Sequence, residues 1–126
     1  MSKTTPNVRI YVYDGCSTCR DAVAFLKGRG VEYVSVPIRQ QPPTVAELEQ
    51  MLALKDGVRR LFNSSGLDYK SMGMKDRLPA MTDAEALELL SGHGNLVKRP
   101  FLLTSDGRGL LGFKKPEWEA VFPGSE

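Results

Sequence analysis

The chain has 126 residues, a quarter of them charged with both signs interspersed, and a formal net charge of +2. That length suits one domain able to bury a core without disulfides or metals, and the charge is not the basic stripe of a protein working directly on nucleic acid. No apolar run approaches the ~20 residues of a membrane span, and the polar start "MSKTTPN" lacks the apolar stretch of a secretory signal, so no membrane role and a cytoplasmic location are expected.

"VRIYVY", Val8 to Tyr13, alternates β-branched and aromatic residues and stops at Asp14-Gly15, the pattern of a first strand ending in a turn. "STCRDAVAFLKGRG" then places Ala22, Phe25 and Leu26 at helical spacing, with Ser17 or Thr18 available as a cap and Gly28 and Gly30 as stops. "VEYVSVPI", Val31 to Ile38, reads as a second strand, and the order strand, helix, strand implies a parallel pair with a right-handed crossover. Pro42 and Pro43 close that strand. Thr44 caps a second helix whose apolar face carries Val45, Leu48, Met51, Leu52 and Leu54. From Val58 to Gly94 no strand is evident, and Thr82 with Glu85 three residues later forms a capping box before "DAEALELL". "RPFLLTSDGRGLLGF" has the form of an antiparallel hairpin, and "KPEWEAVF" that of a closing helix with Pro116 in its first turn and Trp118, Val121 and Phe122 on its core face. A βαβ unit, a helical insertion from about residue 44 to 94 and a ββα unit, joined in one mixed sheet with helices on both faces, make a single thioredoxin-like α/β domain over residues 1–126.

Two cysteines in a reducing compartment suit catalysis, redox sensing or metal binding better than a permanent bridge. A thiol attacks as its thiolate, and the free amides and dipole at a helix N-terminus favour that anion. Cys16 stands at such a position. Cys19, one turn further in, is either a resolving thiol that closes on Cys16 or a small apolar packing residue. Ser17, Thr18 and Arg20 surround the same amides, which also suit a tetrahedral oxyanion. Structural zinc wants four ligands, and two cysteines with the distant His93, a loop residue between glycines, do not supply them.

With the strand-Cys-x-x-Cys-helix unit, "QPPT", "LFNSSGLDYKSMGMKDRLPAMTDAEALELL" and "VKRPFLL…LLGFK…EW", the chain resembles the arsenate reductase family of thioredoxin-like proteins. That family includes glutaredoxin-linked arsenate reductases and the Spx/MgsR transcription regulators; the resemblance runs from about Arg9 to Phe122 and is nearest the arsenate reductase-like branch. It implies a nucleophile at Cys16 and three oxyanion-binding arginines. Arg99, before an expected cis Pro100, matches one of these; a second falls on Asn63, with Arg59 and Arg60 a turn earlier, and the third falls near Lys114 or Lys115. A histidine four residues before the nucleophile is replaced by Val12. From the residues alone, a solvated Arg99 before a trans proline and a wet helix face at Arg59 and Arg60 stand as alternatives.

Two functions follow. In the enzymatic one, Cys16 attacks an oxyanion or a mixed disulfide, Arg99 and Arg20 stabilise charge with Arg60, Asn63 and Lys114 as further anion ligands, and Cys19 or glutathione resolves the adduct. No bound cofactor is needed; glutathione is the co-substrate and a glutaredoxin the expected electron carrier. Lysine lacks the planar fork of arginine, so the changed arginines favour a disulfide or glutathionylated substrate over arsenate. In the other, implied by the Spx-like relatives, the cysteine pair is a redox switch in a protein that docks on the RNA polymerase α subunit.

Overall fold

Alternating β-branched residues give Val8–Val12 an extended backbone, β1, with Val8 and Ile10 buried. The computed structural model describes residues 8–123, so the polar start read above for its lack of a secretory signal lies outside the described residues. Those residues form two units, one from the chain up to Val36 together with the chain from Arg99 onward, the other Pro37–Lys98.

The first unit holds the sheet. β1 is followed by α1 (Ser17–Gly28), β2 (Val34–Pro37), β3 (Phe101–Thr104), β4 (Gly109–Leu111) and the closing helix Lys115–Val121. The strand order is β2-β1-β3-β4, with β3 antiparallel to both its neighbours. The sheet is mixed, so β2 beside β1 is the parallel pair that α1 connects. Ile10 faces Leu102 and Leu102 faces Leu110 across the strands, and this stripe packs against Ala22 and Leu26 of α1 and Trp118 and Phe122 at the closing helix. Trp118 is fully buried, donates Nε1–H to the Gly112 carbonyl at 3.0 Å, and meets Phe113 and Phe25 edge to face at 5.0 and 6.0 Å. Each such aromatic pair adds about 1 kcal/mol to the burial itself.

Both ends of α1 differ from the sequence expectation, and β1 and β2 each stop one residue early, at Val12 and Pro37. α1 ends in a Schellman turn, in which Gly30 takes φ +69° and the Gly30 and Val31 amides bond back to Lys27 and Leu26. Val31 thus spends its N–H on the helix, and β2 starts at Val34 rather than Val31. At the other end of α1, neither Ser17 nor Thr18 is the cap: Cys16 is, and helix residues begin at Ser17.

The second unit is helical: α2 (Val45–Leu52), α3 (Leu67–Ser71), α4 (Met74–Arg77) and α5 (Asp83–Ser91), with short 3₁₀ turns at Val58–Leu61, Leu78–Ala80 and Gly94–Leu96. The closing helix of the first unit is therefore α6. The expected capping box of Thr82 with Glu85 forms, and the Thr44 cap is likewise completed into a box by Glu47. Leu48 and Met51 of α2 and Leu87 and Leu90 of α5 are buried where the two helices pack. Leu54 does not join them; α2 stops at Leu52 and Leu54 is 45% exposed. Phe62, in a stretch read as strandless, forms an isolated antiparallel bridge with Val97. Ile38 and Gly94 touch backbone to backbone so closely that a Cβ at Gly94 would lie 1.9 Å from the Ile38 carbonyl oxygen.

That contact forbids a side chain. Gly94→Ala is expected to lower stability by about 2 kcal/mol or more, read as a shifted urea midpoint at unchanged slope; a midpoint equal to the parent's would show that the backbone there yields freely.

Candidate active site

The site is built on the loop between β1 and α1. Tyr13 leaves the strand, its carbonyl accepts the Cys16 amide at 3.0 Å, and this turn sets Cys16 in an extended conformation, φ −101° and ψ 110°, immediately before the helix. The Cys16 sulfur then accepts the Cys19 amide at 3.1 Å. A sulfur therefore occupies the place that Ser, Thr, Asp or Asn oxygen usually fills at a helix start. Both cysteines are thiols; Cys16 is half-buried and Cys19, at 2% exposure, is buried.

Burial pushes the Cys19 thiol up from 9.0 to about 12, and its hydrogen bond to the Cys16 sulfur and the proximity of charge there push the same way. The Tyr13 backbone amide and the Arg99 guanidinium oppose that rise. Arg99 is thus within electrostatic reach of the cysteine pair. The Arg99–Pro100 peptide is cis. The Arg99 guanidinium carbon lies 5.2 Å from the Tyr13 ring centroid, and its Nη1 is buried with no hydrogen-bond partner among the described residues.

Ser17 and Thr18 are exposed in the first turn of α1. Arg20 donates Nη1–H to the Asp14 carbonyl at 2.8 Å, so part of its guanidinium braces the loop. A cleft of about 540 Å³ beside α1 is lined by Tyr13, Cys19, Arg20, Val23 and Lys27. Lys114 is the exposed N-cap residue of α6, without a side-chain cap bond. Arg60 and Asn63 belong to the second unit. Arg60 faces Asp56 at 3.8 Å, both side chains largely exposed, and the Asn63 amide bonds to the Leu96 carbonyl at 2.7 Å. Of the residues singled out from the sequence, Cys16, Cys19 and Arg99 are brought together. Tyr13 was not among them; the available signal was an aromatic ring two positions before a glycine at the end of a strand. Among the described residues no three His, Cys, Asp or Glu side chains cluster as metal ligands.

Comparison with known proteins gives one consistent set. The ArsC family model matches residues 11–121. The uncharacterized YusI protein of Bacillus subtilis (strain 168) is 38% identical over 90% of this chain and 96% of its own length. The arsenate reductase of Rhizobium meliloti (strain 1021) is 33% identical over 82% of this chain and 73% of its own. The regulatory protein MgsR of Bacillus subtilis is 29% identical over 74% of this chain and 73% of its own. Among solved structures, one of a protein described as ArsC family related, from Bacteroides fragilis, matches with a TM-score of 0.86 at 37% identity, covering 94% of this chain and 99% of its own.

The raised Cys19 thiol has a signed consequence. The unfolded chain releases this proton near 9.0 and the folded one near 12, so the contribution to stability is complete below pH 9 and is lost as pH rises toward 12. Urea midpoints taken from pH 8 to 10.5 should fall more steeply for the parent than for Cys19→Ala, by about 1 kcal/mol per pH unit beyond 9. Parallel curves would contradict the placement of a protonated thiol in the core.

Proposed function

Because the chain belongs to the ArsC family, we propose that it is a thiol-disulfide oxidoreductase in which Cys16 attacks an oxyanion or, by preference, a mixed disulfide. The observation that carries this is the Cys16 sulfur capping α1, half-buried at a helix N-terminus and accepting the Cys19 amide, the kind of place where thiol nucleophiles act. With a glutathionylated substrate, the Cys16 sulfur forms a bond to one sulfur of the disulfide and the other leaves as a thiolate, which takes up a proton. A second thiol then attacks the adduct and returns Cys16 to its starting state. With glutathione as that thiol, Cys16 keeps the glutathionyl sulfur while the substrate thiolate leaves; one free glutathione then attacks that sulfur and departs with it as glutathione disulfide, and a glutaredoxin supports the second half. The two glutathione carboxylates suit a cleft carrying Arg20 and Lys27.

Cys19 is the alternative resolving thiol, and its surroundings give the two sulfurs an order. Burial first, then the hydrogen bond to Cys16 and the charge there, keep Cys19 protonated. Once Cys16 carries an adduct its charge is gone, the repulsion ends, and Arg99 continues to favour the Cys19 thiolate. Arg99 is the cation nearest the cysteine pair, Ser17 and Thr18 lie in the first turn of α1, and Lys114 stands as a further anion ligand in the proposal. A disulfide has less charge to neutralise than arsenate, which suits a chain with one matched arginine.

The cysteine pair itself supports a second reading, in which its oxidation switches a regulator, as the likeness to MgsR suggests. Docking on the RNA polymerase α subunit in one redox state and not the other would favour that reading.

The enzymatic reading predicts that the parent, supplied with glutathione, a glutaredoxin, glutathione reductase and NADPH, turns over a glutathionylated disulfide substrate faster than arsenate. Cys16→Ser should lose at least a hundredfold of that rate, the scale expected when a nucleophile is removed. A parent without turnover on either substrate, or a Cys16→Ser variant as active as the parent, would remove it.

A further inference from the structure

Tyr13 takes no part in the chemistry above, yet it meets Cys16, Cys19 and Arg99. Its carbonyl holds the Cys16 amide at 3.0 Å, and its own amide bonds to the Cys19 sulfur. Its ring lies over the loop so tightly that a Cβ on Gly15 would stand 2.6 Å from Cε2 and 2.9 Å from Cζ. The same ring sits 5.2 Å from the guanidinium carbon of Arg99.

A guanidinium can be held in place in two ways, with different consequences. A carboxylate partner would neutralise it and consume the N–H donors that form a bidentate fork. An aromatic ring attracts the cation through its quadrupole and takes no donor. Arg99 is held the second way, and its Nη1 is buried and unpartnered among the described residues.

We infer that Tyr13 is a positioning residue, whose ring, seated on Gly15, holds Arg99 so that its guanidinium faces an anionic group carried next to the disulfide that Cys16 attacks. The inference rests on Cys16 being the nucleophile. It makes Tyr13 and Gly15 determinants of substrate class: disulfides bearing a carboxylate close to the reacting sulfur are preferred over neutral ones of similar size.

The test compares two aromatic disulfides reacting with the folded protein at neutral pH, one with a carboxylate on each ring, 5,5′-dithiobis(2-nitrobenzoate), and one uncharged, 4,4′-dithiodipyridine. Each forms a mixed disulfide with Cys16 and releases a coloured thiol, so two second-order rate constants and their ratio are read directly. The ratio is expected to fall about tenfold in Arg99→Gln, about threefold to tenfold in Tyr13→Leu, and less than about twofold in Tyr13→Phe, which keeps the ring. Gly15→Ala, which must displace the ring, should lower the ratio as Tyr13→Leu does, and should add nothing in the Tyr13→Leu background. A purely structural role would slow both probes alike and leave the ratio untouched. An unchanged ratio in Tyr13→Leu, or a Tyr13→Phe variant as impaired as Tyr13→Leu, overturns the inference while Cys16 stays reactive. Failure of both probes to react with the parent overturns the reading of Cys16 as nucleophile, and the inference with it.

Discussion

The contact between the Cys19 amide and the Cys16 sulfur, 3.1 Å across the first turn of α1, is the constraint on which the rest of the site is built. It fixes three things at once. The helix starts at Ser17, so its unpaired amides surround the sulfur; Cys19 is carried one turn inward onto the buried side; and Asp14 and Gly15 are left to span the gap to the end of β1. An oxygen cap at that position would give the same helix start. In the proposed function, a sulfur there makes the helix terminus serve a nucleophile as well as the fold.

Electrostatics then separates two thiols that stand a turn apart. Desolvation and the neighbouring sulfur hold Cys19 in its protonated form, while Cys16 lies at the mouth of the helix where the dipole favours negative charge. Arg99 brings its positive charge to the pair from the start of the hairpin, and Tyr13 supports it from the end of β1 without taking a hydrogen bond from it. The sheet makes this meeting possible: β1 and β3 are paired neighbours, so the residue following the one and the residues preceding the other reach the same end. The charge complement is modest, which is the ground for proposing a disulfide carrying a carboxylate over a fully charged oxyanion.

The sequence made local features readable and left those set by distant partners obscure. The Thr44 cap, the capping box at Thr82, Pro116 in the first turn of α6 and the Ser-Asp-Gly hairpin each depend on residues a few positions apart, and all form. The start of β2 was misplaced because the glycine signal at Gly30 was read only as a stop, whereas the Schellman turn it permits also occupies the Val31 amide. Ser17 and Thr18 outrank cysteine as caps in general preference, but the turn from Tyr13 to Cys16 decides which residue is extended, and it chose Cys16. Leu54 fitted the apolar spacing of α2 and missed the core because the helix had already ended. Of the site, the cysteine pair and the Arg99-Pro100 step were legible from motif and resemblance. The seating of the Tyr13 ring between Gly15 and Arg99 was not, since it joins two segments far apart in the chain.

The central claim is that the Cys16 sulfur is the accessible nucleophile and Cys19 its buried, protonated neighbour. Brief alkylation of the folded protein with iodoacetamide at neutral pH, followed by mass spectrometry of its peptides, puts that claim to the most direct trial. The account predicts a label on Cys16 alone, with Cys19 modified only after denaturation. A label appearing first on Cys19, or on neither residue until the protein unfolds, would contradict it.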